Sequence, residues 1–108
     1  MWVFLNNAML SIVAHGSHPG VLLVRARSAG DIERVFPDAA VSETPTADYR
    51  YRADVPTETV AEALAAQVRA IDYPNFKSTV RDTGRLRAYH DVWDVMARYQ
   101  ELKHPRNR

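Results

Sequence analysis

The chain has 108 residues, 46% of them hydrophobic and 25% charged, with a formal charge of +1; that is enough for one core, too apolar for a disordered chain, and too nearly neutral for bulk attraction to nucleic acid or membrane. The absence of cysteine excludes a disulfide framework, a thiolate metal site and a cysteine nucleophile together, and points to a reducing, cytoplasmic setting. One α+β domain over residues 1–108 is expected, ending in a frayed basic tail over 103–108.

Met1–Leu5 and Leu10–Ala14 are short apolar runs joined through Asn6-Asn7-Ala8, and asparagine tolerates the positive φ of tight hairpin turns. The first run has no basic leader and is interrupted by Asn6-Asn7, so it reads as a strand rather than a signal or membrane segment. The turn-rich segment His15–Gly20 leads into the alternating strand Val21–Arg27. Ser28, with Asp31 three residues on, resembles a capped helix start; Ile32, Val35 and Phe36 give that helix an apolar face, and Pro37 limits it to about two turns.

Ala40–Thr44 and Asp48–Val55 read as two strands linked through Pro45-Thr46-Ala47. In the second, Tyr49, Tyr51, Ala53 and Val55 alternate with Arg50, Arg52 and Asp54. Pro56 suits a first helical turn, Thr59 with Glu62 can form a capping box, and Val60, Leu64, Val68 and Ile71 recur at helical spacing. Tyr73-Pro74 breaks that helix. A last helix follows Asp82-Thr83-Gly84, with Leu86, Tyr89, Trp93 and Met96 as its inner face and Val92, Val95, Tyr99 and Leu102 beside them; Pro105 closes it.

From Val21 onward the order strand, helix, strand, strand, helix is the ferredoxin-like split unit without its last strand. The N-terminal hairpin is available to fill that edge. The expected fold is therefore an α+β, ferredoxin-like antiparallel sheet of four or five strands with helices packed on one face. In it Val21–Arg27 and Asp48–Val55 are central neighbours. If Val24, Ala26, Tyr49, Tyr51 and Ala53 face the helices, then Arg25, Arg27, Arg50 and Arg52 share the opposite sheet face.

Four guanidinium groups on one surface suit phosphate or carboxylate recognition, because the planar fork pairs bidentately with either. The plainer account is a solvated face, partly neutralised by Glu43 and Asp54. In the opposite register Tyr49 and Tyr51 would become stacking platforms for bases. His15 and His18, with two residues between them, sit in a Gly/Pro loop with no neighbouring carboxylate to complete a metal site. His90 and Asp94, at i and i+4 on the last helix, can serve as an acid–base pair or as two ligands. There is no Gly-rich phosphate loop, nucleophile elbow or paired-carboxylate motif, and no cofactor is implied.

Charge is distributed unevenly. Residues 1–76 carry six Arg and no Lys against nine acids, whereas 77–108 carry eight basic residues against four. Trp93, Met96 and Tyr99 are side chains favoured at interface centres, and the apolar face of the last helix is wider than one core-facing stripe needs. That excess favours a protein partner or a second copy.

The segments Gly30–Pro37 (GDIERVFP), Ala47–Ala53 (ADYRYRA), Ile71–Lys77 (IDYPNFK) and Ala88–Met96 (AYHDVWDVM) resemble a family of short, uncharacterised bacterial proteins. The resemblance covers most of the chain and implies no reaction and no site residue. In size the chain is also similar to phage-encoded inhibitors such as anti-CRISPR proteins.

Together these features point to a small, non-enzymatic binding or regulatory protein. It would act through a protein–protein surface built on Arg25, Arg27, Arg50 and Arg52 or on Trp93 and Tyr99, for example as an inhibitor of a nucleic-acid-handling complex. Direct RNA or DNA binding through the arginine face is the alternative. A small metal-dependent nuclease or hydrolase using His90 and Asp94 comes last. No membrane partner is expected.

Overall fold

A computed structural model describes residues 1–105. The elements are β1 (Trp2–Phe4), β2 (Met9–Ala14), β3 (Val21–Ala26), α1 (Asp31–Val35), β4 (Ser42–Glu43), β5 (Tyr51–Pro56), α2 (Thr57–Arg69), a 3₁₀ turn (Lys77–Thr79) and α3 (Thr83–Lys103). They form two compact units, Met1–Asp72 and a second that begins at Tyr73. Of the tail expected from 103, Lys103 closes α3, and residues 106–108 lie outside the described residues.

The first unit is a five-stranded antiparallel sheet in the order β1-β2-β3-β5-β4. This is the ferredoxin-like arrangement with β2, from the N-terminal hairpin, in the place of the missing last strand. Alternation decides what each face carries. Leu10 and Ile12 of β2, Val24 and Ala26 of β3, and Ala53 and Val55 of β5 bury their side chains in one cluster with Ile32 and Phe36 of the α1 segment and Val60 of α2. The helices α1 and α2 thus cover one sheet face, and burying nine such side chains supplies the main driving force for this unit.

Helix entry differs from the sequence expectation at both short helices. Ser28 does not cap α1. Its cap is Gly30 at φ 88°, a left-handed conformation that side chains resist, and a Cβ there would also press within 3.2 Å of the Arg34 guanidinium. Asp31, expected to close a capping box, is instead 2% exposed. Its carboxylate accepts the Met9 amide at 3.0 Å and Arg34 Nη1 at 2.8 Å, while Arg34 also donates to the Asn7 carbonyl at 3.2 Å. One buried charge thereby ties α1 to the β1–β2 turn.

The Thr59–Glu62 box does not form, because α2 already starts at Thr57 and Thr59 lies inside its first turn. The Thr57 amide donates to Gly20 O at 3.0 Å, so a loop carbonyl satisfies a group that a side chain would otherwise cap. The apolar seam of α2 also ends early. Val60 is buried and Leu64 packs on the core, but Val68 and Ile71 are 66% and 54% exposed.

In the second unit Asn75 Oδ1 accepts the Ser78 amide and Thr79 Oγ1 donates to Phe76 O at 2.6 Å, which fixes the 3₁₀ turn. Asp82 caps α3 by accepting the Arg85 amide at 2.8 Å. Phe76 stacks on Tyr89 with ring centres 5.8 Å apart, pinning the first half of α3 to the turn.

Asp31→Ala removes a buried acceptor of a backbone amide and should destabilise the fold by about 2–4 kcal/mol, with Asp31→Asn costing less. Val60→Ala should cost about 2 kcal/mol and Val68→Ala under about 0.5. Urea unfolding monitored by circular dichroism checks all four.

Candidate functional site

On the sheet face opposite α1 and α2, register sets one residue from every strand in a single row. Trp2 pairs with Ser11, Ser11 with Arg25, Arg25 with Arg52, and Arg52 with Ser42. Two arginines therefore stand directly opposite each other on the central strands, a like-charge pairing that sheets normally avoid. Local contacts separate their head groups. Arg25 Nη2 donates to Ser11 Oγ at 2.7 Å, and Arg52 turns toward Asp48, with Nη2 3.4 Å from Oδ1 and Nε 3.4 Å from Tyr49 O.

Tyr49 organises this cluster. The β4–β5 hairpin closes at the bond from the Thr44 amide to Arg50 O, with a tight turn from Thr44 to Ala47, so Tyr49 belongs to the loop and the strand alternation does not reach it. Its ring leaves the helix-covered face. It is 5% exposed and lies against two guanidinium groups, with Arg25 Cζ 4.5 Å and Arg27 Cζ 4.2 Å from its centre. Cation–π attraction is worth about 0.5–2 kcal/mol per contact, more where water is excluded. Arg27 Nη1 also donates to Asp48 O at 2.7 Å.

Three of the four expected arginines are thus gathered and one is not. Arg50 pairs with Glu43 at 2.7 Å, and that hydrogen bond, with the carboxylate's charge, raises its already high pKa. Arg52 has Asp48. Among the described residues, neither Arg25 nor Arg27 has a carboxylate within ion-pair distance, and Arg25 Nε is buried with no hydrogen-bond partner.

The histidines are placed differently from metal ligands. His15 Nδ1 accepts the Ser17 amide at 3.2 Å, which leaves the proton on Nε2, 3.3 Å from Asp54 Oδ1. Both nitrogens are engaged, and the His18 ring packs 4.6 Å from that of His15. His90 and Asp94 are exposed on α3. Among the described residues no three His, Asp or Glu side chains cluster as a metal would require.

Trp93 and Tyr99 lie on a second surface, within the unit that begins at Tyr73. Helix α3 leaves Val92, Trp93, Val95, Met96, Tyr99 and Leu102 exposed by 39–80%. At roughly 100° per residue they join Leu86 and Tyr89 in an apolar arc of about 200°. With side-chain areas of about 150–250 Å² each, those exposures leave on the order of 600 Å² of apolar surface open on one helix, more than isolated surface residues explain. Cations sit over its aromatic rings. Lys77 Nζ is 4.6 Å from the Trp93 ring centre, Lys103 Nζ 5.8 Å from Tyr99, and Arg85 Cζ 6.0 Å from Tyr89.

Sequence reasoning missed Ser11, Asp48 and the role of Tyr49, whose contacts follow from cross-strand register and a loop. The Arg85–Tyr89 and Lys103–Tyr99 pairs are at i and i+4 and were readable; Lys77 over Trp93 was not. No family model matches this chain, and no curated protein and no solved structure matches it at a significant level. No helix of the described residues is long and apolar enough to cross a membrane.

Tyr49→Phe keeps the ring and should change stability by less than about 1 kcal/mol, whereas Tyr49→Ala should cost about 3–5 kcal/mol. In Tyr49→Leu, the Arg25 and Arg27 Nε–H protons should exchange faster with water, measured by NMR on arginine side chains.

Proposed function

We propose that this chain is a non-enzymatic binding protein that acts through protein–protein contact, with the apolar arc of α3 as the contact surface. The observation that carries the reading is the set of six large apolar side chains left exposed along one helix. A truly solvated helix face would carry charge, and here the charged residues Asp91, Asp94, Arg98 and Glu101 all fall on the remaining arc. Trp and Tyr are the residues that dominate interface energetics.

The charges at the ends of the stripe define the occupant. Arg85 and Lys103 share the apolar arc and lie about 27 Å apart at 1.5 Å rise per residue. A second copy packed parallel would set Arg85 on Arg85 and Lys103 on Lys103; packed antiparallel, it would set Arg85 on Lys103. Either arrangement brings like charges together. The surface fits a different protein, with an apolar stripe or groove bordered by acidic side chains. An inhibitor of a nucleic-acid-handling complex is one form of this function, in which α3 covers the partner's working site.

Nucleic-acid binding has narrower support. Duplex binders commonly neutralise about six to ten phosphates, whereas Arg50 and Arg52 already face carboxylates and leave two unpaired guanidinium groups.

A photo-crosslinker in place of Met96 should capture one partner, attached within an apolar, acid-bordered site. Trp93→Ala with Tyr99→Ala should weaken that complex at least about 100-fold. Arg85→Glu with Lys103→Glu should slow association and remove its salt dependence. Capture unchanged in both variants sinks the reading, as does light scattering that shows a dimer dissociated by Trp93→Ala.

A further inference from the structure

We infer that the sheet face of the first unit binds a phosphate group, held by Arg25, Arg27 and Arg52, and that the phosphate belongs to a nucleotide whose base stacks on Trp2. The inference rests on residues of the first unit alone and does not depend on the reading of α3.

The charge imbalance is the first observation. Three guanidinium groups meet one carboxylate, that of Asp48, and its 3.4 Å contact to Arg52 is long for a charge-assisted bond. Arg25 and Arg52 are cross-strand partners whose head groups turn apart, and an oxyanion bound beside them would supply the negative charge the cluster lacks. The second observation is rigidity. Arg25 and Arg27 both rest on the buried Tyr49 ring, and each has one further anchor, Ser11 Oγ for Arg25 and Asp48 O for Arg27. Their positions are fixed in advance, so little side-chain entropy is lost when an anion arrives.

Geometry sets the size of the ligand. Arg25 Cζ lies 4.5 Å and Arg27 Cζ 4.2 Å from one ring centre, so the two guanidinium groups are held within about 9 Å of each other, close enough for one tetrahedral oxyanion to be shared along the edge of the ring. A carboxylate, planar and singly charged, would leave the third guanidinium uncompensated. A phosphate monoester carries close to two charges near neutral pH.

Trp2 supplies the rest. It stands in the same cross-strand row as Arg25, two strands away, and is 69% exposed. Two strand spacings of about 4.8 Å put its Cα about 10 Å from that of Arg25, a distance that a sugar bridges between a phosphate and a base. An exposed indole is a platform that accepts any base, with stacking worth about 1–3 kcal/mol.

The test uses the full chain at low salt. Inorganic phosphate should shift the Nε–H signals of Arg25, Arg27 and Arg52 and the Tyr49 amide, and Arg27→Gln, a change at an exposed position whose fold is checked by circular dichroism, should weaken that binding about 10-fold or more. Arg25→Gln provides the same readout from the partly buried side. Shifts spread evenly over all arginines, or unaltered by Arg27→Gln, overturn the site. Adenosine monophosphate should bind about 10-fold tighter than phosphate and quench Trp2 fluorescence in a Trp93→Phe background, and Trp2→Ala should cancel that gain. Equal affinity for the two ligands overturns the assignment to a nucleotide.

Discussion

The buried carboxylate of Asp31 holds the first unit in register with itself. A five-residue helix cannot be stable alone, and α1 sits at the point where the chain leaves the sheet's centre for its far edge. Asp31 accepts the first amide of β2 and the guanidinium of Arg34, which in turn donates to the turn ahead of β2. Through these bonds the short helix is clamped to the N-terminal hairpin, and the hairpin is held where a ferredoxin-like sheet would otherwise lack a strand. The hydrophobic cluster of Leu10, Ile12, Val24 and Ile32 closes on top of this clamp. An unpaired carboxylate at that depth would cost several kcal/mol, so the pairing and the packing are set together.

The same sheet has two faces of opposite character, and alternation produces both at once. Placing Val24, Ala53 and Val55 against the helices puts Arg25 and Arg52 opposite each other on the other side. What keeps this tolerable is Tyr49, displaced from the strand into the hairpin loop. Its ring gives Arg25 and Arg27 a surface to rest on, and its carbonyl is 3.4 Å from Arg52 Nε. The first unit's sheet thus carries a cluster of arginines, and the helix of the second an exposed apolar arc. These are chemically different surfaces.

Much of the fold was legible in the sequence because its signals are local. Strand alternation in Val21–Arg27, the breaks at Pro37 and Pro74, and the spacing of Val60 and Leu64 all act within a few residues. Vacant strand order at the edge also pointed to the N-terminal hairpin. The failures share a cause. Ser28 and Thr59 looked like caps, but the groups they would have satisfied are met by a positive-φ glycine turn and by the distant carbonyl of Gly20. Tyr49 continued an alternating pattern on paper, yet the hairpin closes one residue later and the pattern stops there. Glu43 was readable as a partial neutraliser of the arginine face, but not that it would pair with Arg50 in particular. For the candidate sites, residue types and the over-wide helix face were readable, whereas pairing across strands, which decides which charges are left unneutralised, was not.

Both margins of the sheet are very short: β1 runs for three residues and β4 for two. A margin of that length offers too few free backbone donors and acceptors to template another strand. Neither margin strand is therefore a long template for strand addition or runaway pairing, and β4, which pairs only with Tyr51 and Arg52, leaves the rest of β5 without a strand partner on that side among the described residues.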